Sequence, residues 1–249
     1  ARVAYELQKC LDAKNVALSF QPVYSVREAH PVALEVLILL TLPDGETAHQ
    51  SEVLHVAERT GMAQRLGELV MENAFTWFVI NELPLRGIKQ LQLRLLESQC
   101  IESDWPRIVA RLAEKTGMDL SCVCIEITEK SVVNTTPGLK YNMDCLSAQK
   151  VSFALDDYGS GYTDFSEILD MPFSLIKLDK SIVQAGLETT KGERLLQGSI
   201  SLFNGLSVPS LRKGLKLRSR QGSYPIWDAI TCKAIGRDIR LNLRRCFLY

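Results

Sequence analysis

The chain has 249 residues, 46% apolar and 23% charged, with 29 basic and 29 acidic side chains and seven cysteines, an odd number of scattered thiols that suits a reducing compartment. That balance fits one large domain or two small ones and excludes disorder, a collagen-like fibre and a disulfide scaffold. No apolar run reaches about 18 residues, and the opening ARVAYELQKCLDAKN is charged where a signal peptide is apolar, so a cytoplasmic chain without a membrane span is expected.

In chain order, strand-like apolar runs occupy 16–24 (VALSFQPVY) and 32–40 (VALEVLILL), followed by helical patterns over 51–59 and 65–82. Further strand-like runs follow at 88–95 (IKQLQLRL), 121–128 (SCVCIEIT), 150–156 (KVSFALD) and 173–179 (FSLIKLD). Amphipathic segments near 104–116, 137–149 and 190–204 lie between and after them; Ser103, Asp104 and Pro106 mark a helix start, and Gly117 its stop. Strands alternating with helices at this spacing predict parallel pairing through helical crossovers, an α/β barrel ahead of a doubly wound sheet. From Pro209 onward the pattern breaks: residues 1–208 hold 19 Lys and Arg against 27 Asp and Glu, whereas 209–249 hold 10 against 2. A basic surface or a nucleic-acid arm is one reading of that tail, although it lacks interleaved aromatics and any binding motif.

In a parallel barrel the reactive face lies at the carboxyl ends of the strands. Acids that interrupt or close an apolar run are therefore the first candidates: Glu35, Glu126 and Glu129 in CIEITE, Asp156 and Asp157 in FALDD, and Asp179 with Lys177 in LIKLD. Taken singly, each reads as a helix cap, a salt-bridge partner or a solvated amine. Taken as a set, carboxylates from several strands would hold hard divalent cations, and a lysine beside them would orient a metal-bound water, the chemistry of phosphoester hydrolysis. The turn DDYGSGY (156–162) follows two of those acids and is either a plain loop or one that closes over a phosphate or a partner. Cys122 and Cys124 lack a second pair or a nearby histidine, so buried apolar thiols are expected rather than zinc, and His30, His49 and His55 fall outside every motif.

The ordered set QPVY (21–24), LEVL (34–37), CIEITE (124–129), ALDDYGSGY (154–162) and LIKLDKSIV (175–183) resembles the EAL-domain family, over about residues 5–206. The resemblance implies a (β/α)8 barrel with one antiparallel strand, binding cyclic di-GMP and two Mg²⁺ or Mn²⁺ ions and hydrolysing one phosphodiester to give pGpG. It assigns Glu35, Glu126, Asp156 and Asp157 to the metals, Lys177 and Glu35 to catalysis, and Gln21, Asp157, Tyr158, Gly159 and Asp179 to the nucleotide. It also implies a homodimer, for which the 65–82 helix is a candidate, or an upstream signalling domain as partner.

Several positions depart from the family. The signature triplet reads Glu-Val-Leu, and Leu39 stands where the family has a phosphate-holding arginine. Arg94 stands where the family has a metal-binding asparagine, and a guanidinium repels divalent ions instead of ligating them. The family's later A-E-G-V-E-T and L-G-C-D-x-x-Q-G-Y segments are missing. Shifting the reading frame, with permissible third bases, turns 208–221 into A-V-T-A-E-G-I-E-T-E-E-Q-A and 226–235 into L-G-C-D-Y-L-Q-G-Y. The resemblance thus predicts a barrel domain over 1–207, incomplete or distorted at its C-terminal end, and an out-of-frame basic tail over 208–249. The function expected is a degenerate EAL domain, impaired in catalysis, serving as a cyclic di-GMP receptor or interaction module; the alternatives are an active phosphodiesterase and a nucleic-acid-binding tail.

Overall fold

A computed structural model describes residues 2–24, 30–133, 137–160, 168–205, 218–219 and 222–223. Its strands are β1 (Ala17–Tyr24), β2 (Pro31–Thr41), β3 (Thr47–Ala48), β4 (Gln90–Arg94), β5 (Val123–Thr128), β6 (Ser152–Tyr158) and β7 (Phe173–Leu178). The helices are α1 (Arg2–Asp12), α2 (Gln50–Arg59), α3 (Ala63–Ile80), α4 (Glu97–Cys100), α5 (Trp105–Thr116), α6 (Glu129–Val133), α7 (Pro137–Ala148), α8 (Lys180–Glu188) and α9 (Thr190–Gly205). The hydrogen-bonded strand order is β1, β2, β4, β5, β6, β7, with β3 a short antiparallel partner of β2. The β2–β4 and β6–β7 pairs are parallel, as alternating strands and helices require. The pair Arg218–Ser219 and Gly222–Ser223 is a separate antiparallel ladder.

The chain forms two compact units, one built from Ala1–Pro22, Ala33–Ile125 and Thr135–Ser152, the other from Val23–Val32, Glu126–Asn134 and Phe153–Tyr249. In the first, α3 exists because Leu66, Val70, Met71, Ala74, Phe75 and Phe78 recur every three or four residues and are all buried. It packs on α5, whose Ile108, Val109, Leu112 and Ala113 repeat the same period. Two exposed ion pairs run along this seam, Arg111 to Glu68 at 2.9 Å and Lys115 to Glu72 at 2.7 Å. Exposed pairs of this kind each stabilise by less than about 1 kcal/mol, so the apolar seam carries the contact. Helix α5 begins after Asp104 with Pro106 in its first turn and stops at Gly117, whose φ of 74° only glycine adopts without strain.

In the second unit, β6 and β7 carry the sheet and α8 packs tightly on α9. A side chain at Gly186 would come within 2.6 Å of Leu196, so the helices approach as closely as they do because no side chain is there. The β6–β7 register slips twice, once after Phe153 and once between Leu155 and Tyr158. At the second slip β6 holds one residue more than its partner, and Asp157 takes up the excess with a φ of +57°.

Candidate functional site

The second unit gathers most of the residues expected to act. Glu126 on β5 is fully buried, Asp156 on β6 and Lys177 on β7 are buried, and the Lys177 ammonium donates to Glu126 Oε1. The pairing follows from the strands: an acid and an amine, each set in an otherwise apolar run, are taken into the interior by their neighbours and satisfy one another there. Glu126 Oε2 has no hydrogen-bond partner, leaving one buried acceptor oxygen on the pair.

Beyond Asp156 the chain turns through the bulge. Asp157 is half-buried, and its amide donates to Asp156 Oδ1 at 3.0 Å. Glu129, the first residue of α6, is buried and fixes the turn with one oxygen: Oε2 accepts from the amide of Gly159 (3.0 Å), the amide of Ser160 (2.8 Å) and the hydroxyl of Ser160 (2.7 Å). Gly159 has φ +95°, and a Cβ there would lie 1.8 Å from Ile182 Cδ1. Burial, and then the Glu129 carboxylate, push the Tyr158 phenol above its ordinary value. The carbonyl of Tyr158 accepts from the amide of Asp179 at 2.9 Å, and the Asp179 carboxylate caps α8 by accepting from the amide and hydroxyl of Ser181. Asp179 thus lies one hydrogen bond from the turn, with its carboxylate engaged at a helix start.

The remaining expected residues belong to the first unit. Glu35 is buried on β2 and is the direct register partner of Gln92 on β4. Gln92 is fully buried, donates to Gln90 Oε1 at 2.9 Å, and keeps its own Oε1 without a hydrogen-bond partner. Gln90 in turn donates to Ser152 Oγ at 3.0 Å. By strand alternation Gln90, Gln92 and Arg94 share one face of β4. Gln21 is half-buried on β1, and Leu39, at 38% exposure on β2, offers no donor to an anion.

Glu129, expected as an acid closing an apolar run, and Gln92, absent from the expected residues, are both part of this architecture. The alternation QLQLR is the signal that could have found Gln92, because residues two apart on a strand share a face. The sequence marks Glu129 as a candidate but not its task, since its partners are backbone amides 30 and 31 residues later. Cys124 is buried in β5, Cys122 is half-buried, and His55 is exposed on α2.

The family resemblance implies a pair of divalent ions, and the donor chemistry tests that. Among the described residues no group of three or more His, Cys, Asp and Glu gathers closely enough to hold a metal. Glu126, the most buried of the expected ligands, already has an ammonium on one oxygen. Arg94 ends β4 with a guanidinium, which donates and cannot ligate a cation. Among the described residues the donor set of a two-ion centre is thus not assembled. Nor do they include a helix long and apolar enough to cross a membrane.

Comparison with known proteins places the chain. Residues 4–217 match the model of the EAL domain. A cyclic di-GMP phosphodiesterase of Pseudomonas aeruginosa is 24% identical over 203 residues, covering 80% of this chain and 34% of the relative. A signalling protein of Bacillus subtilis, YkoW, is 23% identical over 213 residues, covering 84% of this chain and 26% of its own. The chain spans roughly a quarter to a third of the length of these curated relatives. Among solved structures, the PaMucR phosphodiesterase in its c-di-GMP complex superposes with a TM-score of 0.77 at 18% identity, covering 89% of each chain. The FimX EAL domain from Pseudomonas aeruginosa, bound to c-di-GMP, gives 0.74 at 22% identity, covering 85% of this chain and 84% of its own. The architecture is the TIM-barrel-like α/β fold of those domains, and the chain belongs to the EAL domain family.

Proposed function

We propose that this chain is a degenerate EAL domain that binds cyclic di-GMP and is impaired in cleaving it. The supporting observation is the buried Lys177–Glu126 pair. An ion binding at Glu126 has first to displace that ammonium from Oε1, a cost added to its binding. Leu39 and Arg94 work in the same direction, one removing a phosphate donor and the other adding a cation to the Gln92 face of β4. Relatives that carry c-di-GMP in their solved structures support the ligand. Lys177 and Glu35 are the proposed remnant of the catalytic set, with Glu126, Asp156 and Asp157 as former metal ligands. Gln21, Asp157, Tyr158 and Gly159 are the proposed nucleotide contacts, and Asp179 acts on them through the carbonyl of Tyr158. A second copy or an upstream signalling domain is the proposed protein partner, in the cytoplasm. The proposed domain limits are 1–207, with 208–249 an out-of-frame tail.

Titration calorimetry of the whole chain with cyclic di-GMP, in EDTA and in Mg²⁺ or Mn²⁺, with chromatography for pGpG, tests the reading. Binding that persists in EDTA and no pGpG in either metal are expected. Metal-dependent pGpG release overturns the impairment and favours the active phosphodiesterase. Absence of heat in every condition overturns the ligand.

A further inference from the structure

The turn after β6 is held by more than Glu129. On its far side the Tyr158 ring meets Phe203 of α9 edge-on, with ring centroids 4.8 Å apart and planes at 86°, the favourable T-shaped arrangement of two aromatic quadrupoles. Phe203 is buried at 2% exposure, two residues before α9 ends at Gly205. Tyr158 lies between Asp157 in its left-handed conformation and Gly159, which is pressed against Ile182 of α8. A backbone forced into such a conformation persists only where its surroundings over-determine it. Here the turn is gripped by the Glu129 oxygen and by two helices.

We propose that Phe203 is a positioning residue. Through Tyr158 it sets the turn Asp157–Ser160, and so couples the candidate nucleotide contacts to the C-terminal end of α9. A force or partner that moves the end of α9 would then change nucleotide affinity without touching the nucleotide. The affinity half of this inference rests on the function proposed above; the positioning half does not.

The test uses the full chain and two readouts. Phe203→Leu keeps an apolar side chain of similar volume but removes the ring, and Tyr158→Leu removes the other half of the contact. Tyr158→Phe keeps it. In the nucleotide-free chain, hydrogen exchange at the amides of Gly159 and Ser160 should quicken roughly fivefold in both leucine variants, while Leu155 and Ile176 in the strands keep their protection. The double variant should be no faster than either single one, and Tyr158→Phe should match the parent. Cyclic di-GMP affinity should weaken by a similar factor in Phe203→Leu, and by more in Tyr158→Leu, which also removes a candidate nucleotide contact. If the parent chain binds no cyclic di-GMP yet the exchange pattern appears, the proposed function fails and the positioning role stands. If exchange at Gly159 and Ser160 is unchanged in Phe203→Leu, or if the two leucine variants act additively, the positioning role is overturned. Should Phe203→Leu not fold, Tyr158→Leu against Tyr158→Phe decides the same question from the less buried side, and equal exchange in those two overturns it.

Discussion

A lysine and a glutamate paired out of reach of water are costly to bury and costlier to separate, because removing either partner leaves an uncompensated charge in a low-dielectric interior. Lys177→Met should therefore lower the free energy of unfolding by about 3–5 kcal/mol, whereas Glu126→Gln combined with Lys177→Met should restore most of it, as urea denaturation would read. Loss in the single variant without recovery in the double one would mean that the pair is held by more than mutual neutralisation. Glu129→Ala removes the acceptor of the amides and hydroxyl of the turn. It should cost about 2 kcal/mol in the same measurement, because hydrogen bonds to a charged acceptor are among the stronger ones and Ser160 is already open to water. Glu97 presents the reverse case. Burial, and then the charge of Glu58, hold its carboxyl above the ordinary range. A carboxyl raised in the folded state contributes its stability at low pH and loses it as pH rises through the folded value. Glu97→Gln should therefore raise the melting temperature at pH 7 and leave it nearly unchanged near pH 4, and equal shifts at both would discount the electrostatic cause.

Among the elements, those with a strong period were legible and those sharing a run with a neighbour were not. The apolar runs that became β1, β2, β4, β5, β6 and β7 were each read within a few residues, as was α5 between Asp104 and Gly117. Helix α1 buries Val3, Leu7 and Leu11 at helical spacing, but three apolar positions among charges give its sequence too weak a period to announce it. Helix α8 was overlooked because LIKLDKSIV runs from strand to helix without a break, the boundary being the Asp179 cap. In the site, Glu35, Glu126, Asp156 and Lys177 stood out as charges in apolar runs, while the bulge at Asp157 and the role of Glu129 depend on a register that arises only when β6 and β7 pair. Between helices, Gly67 of α3 faces Gln99 of α4, whose Nε2 donates to the carbonyl of Ala63 at 2.7 Å and whose Oε1 accepts from the amide of Leu96 at 2.9 Å. A Cβ on Gly67 would lie 1.7 Å from that Nε2. Gly67→Ala should displace the buried amide and cost about 1–3 kcal/mol, seen as a lower urea midpoint with an unchanged slope.

At the scale of the whole chain, the family match ends at residue 217, ten residues beyond the proposed frame change, and the charge balance inverts within that interval. Sequencing the coding DNA is expected to show that a one-base insertion or two-base deletion near codon 207 restores both missing motifs, and a reading frame in which neither change does so removes the tail proposal. The two units also differ in when they can exist. The first needs residues as far as Ser152, and the second draws on 23–32 and 126–134 as well as on everything from Phe153. A ribosome adding about 5–20 residues per second takes roughly 4–17 s to go from the end of β2 at Thr41 to the end of β5 at Thr128. Through that interval the apolar run of β2 exists before β5 and β6 are complete, so its exposure is set by the pace of synthesis as well as by the stability of the finished fold.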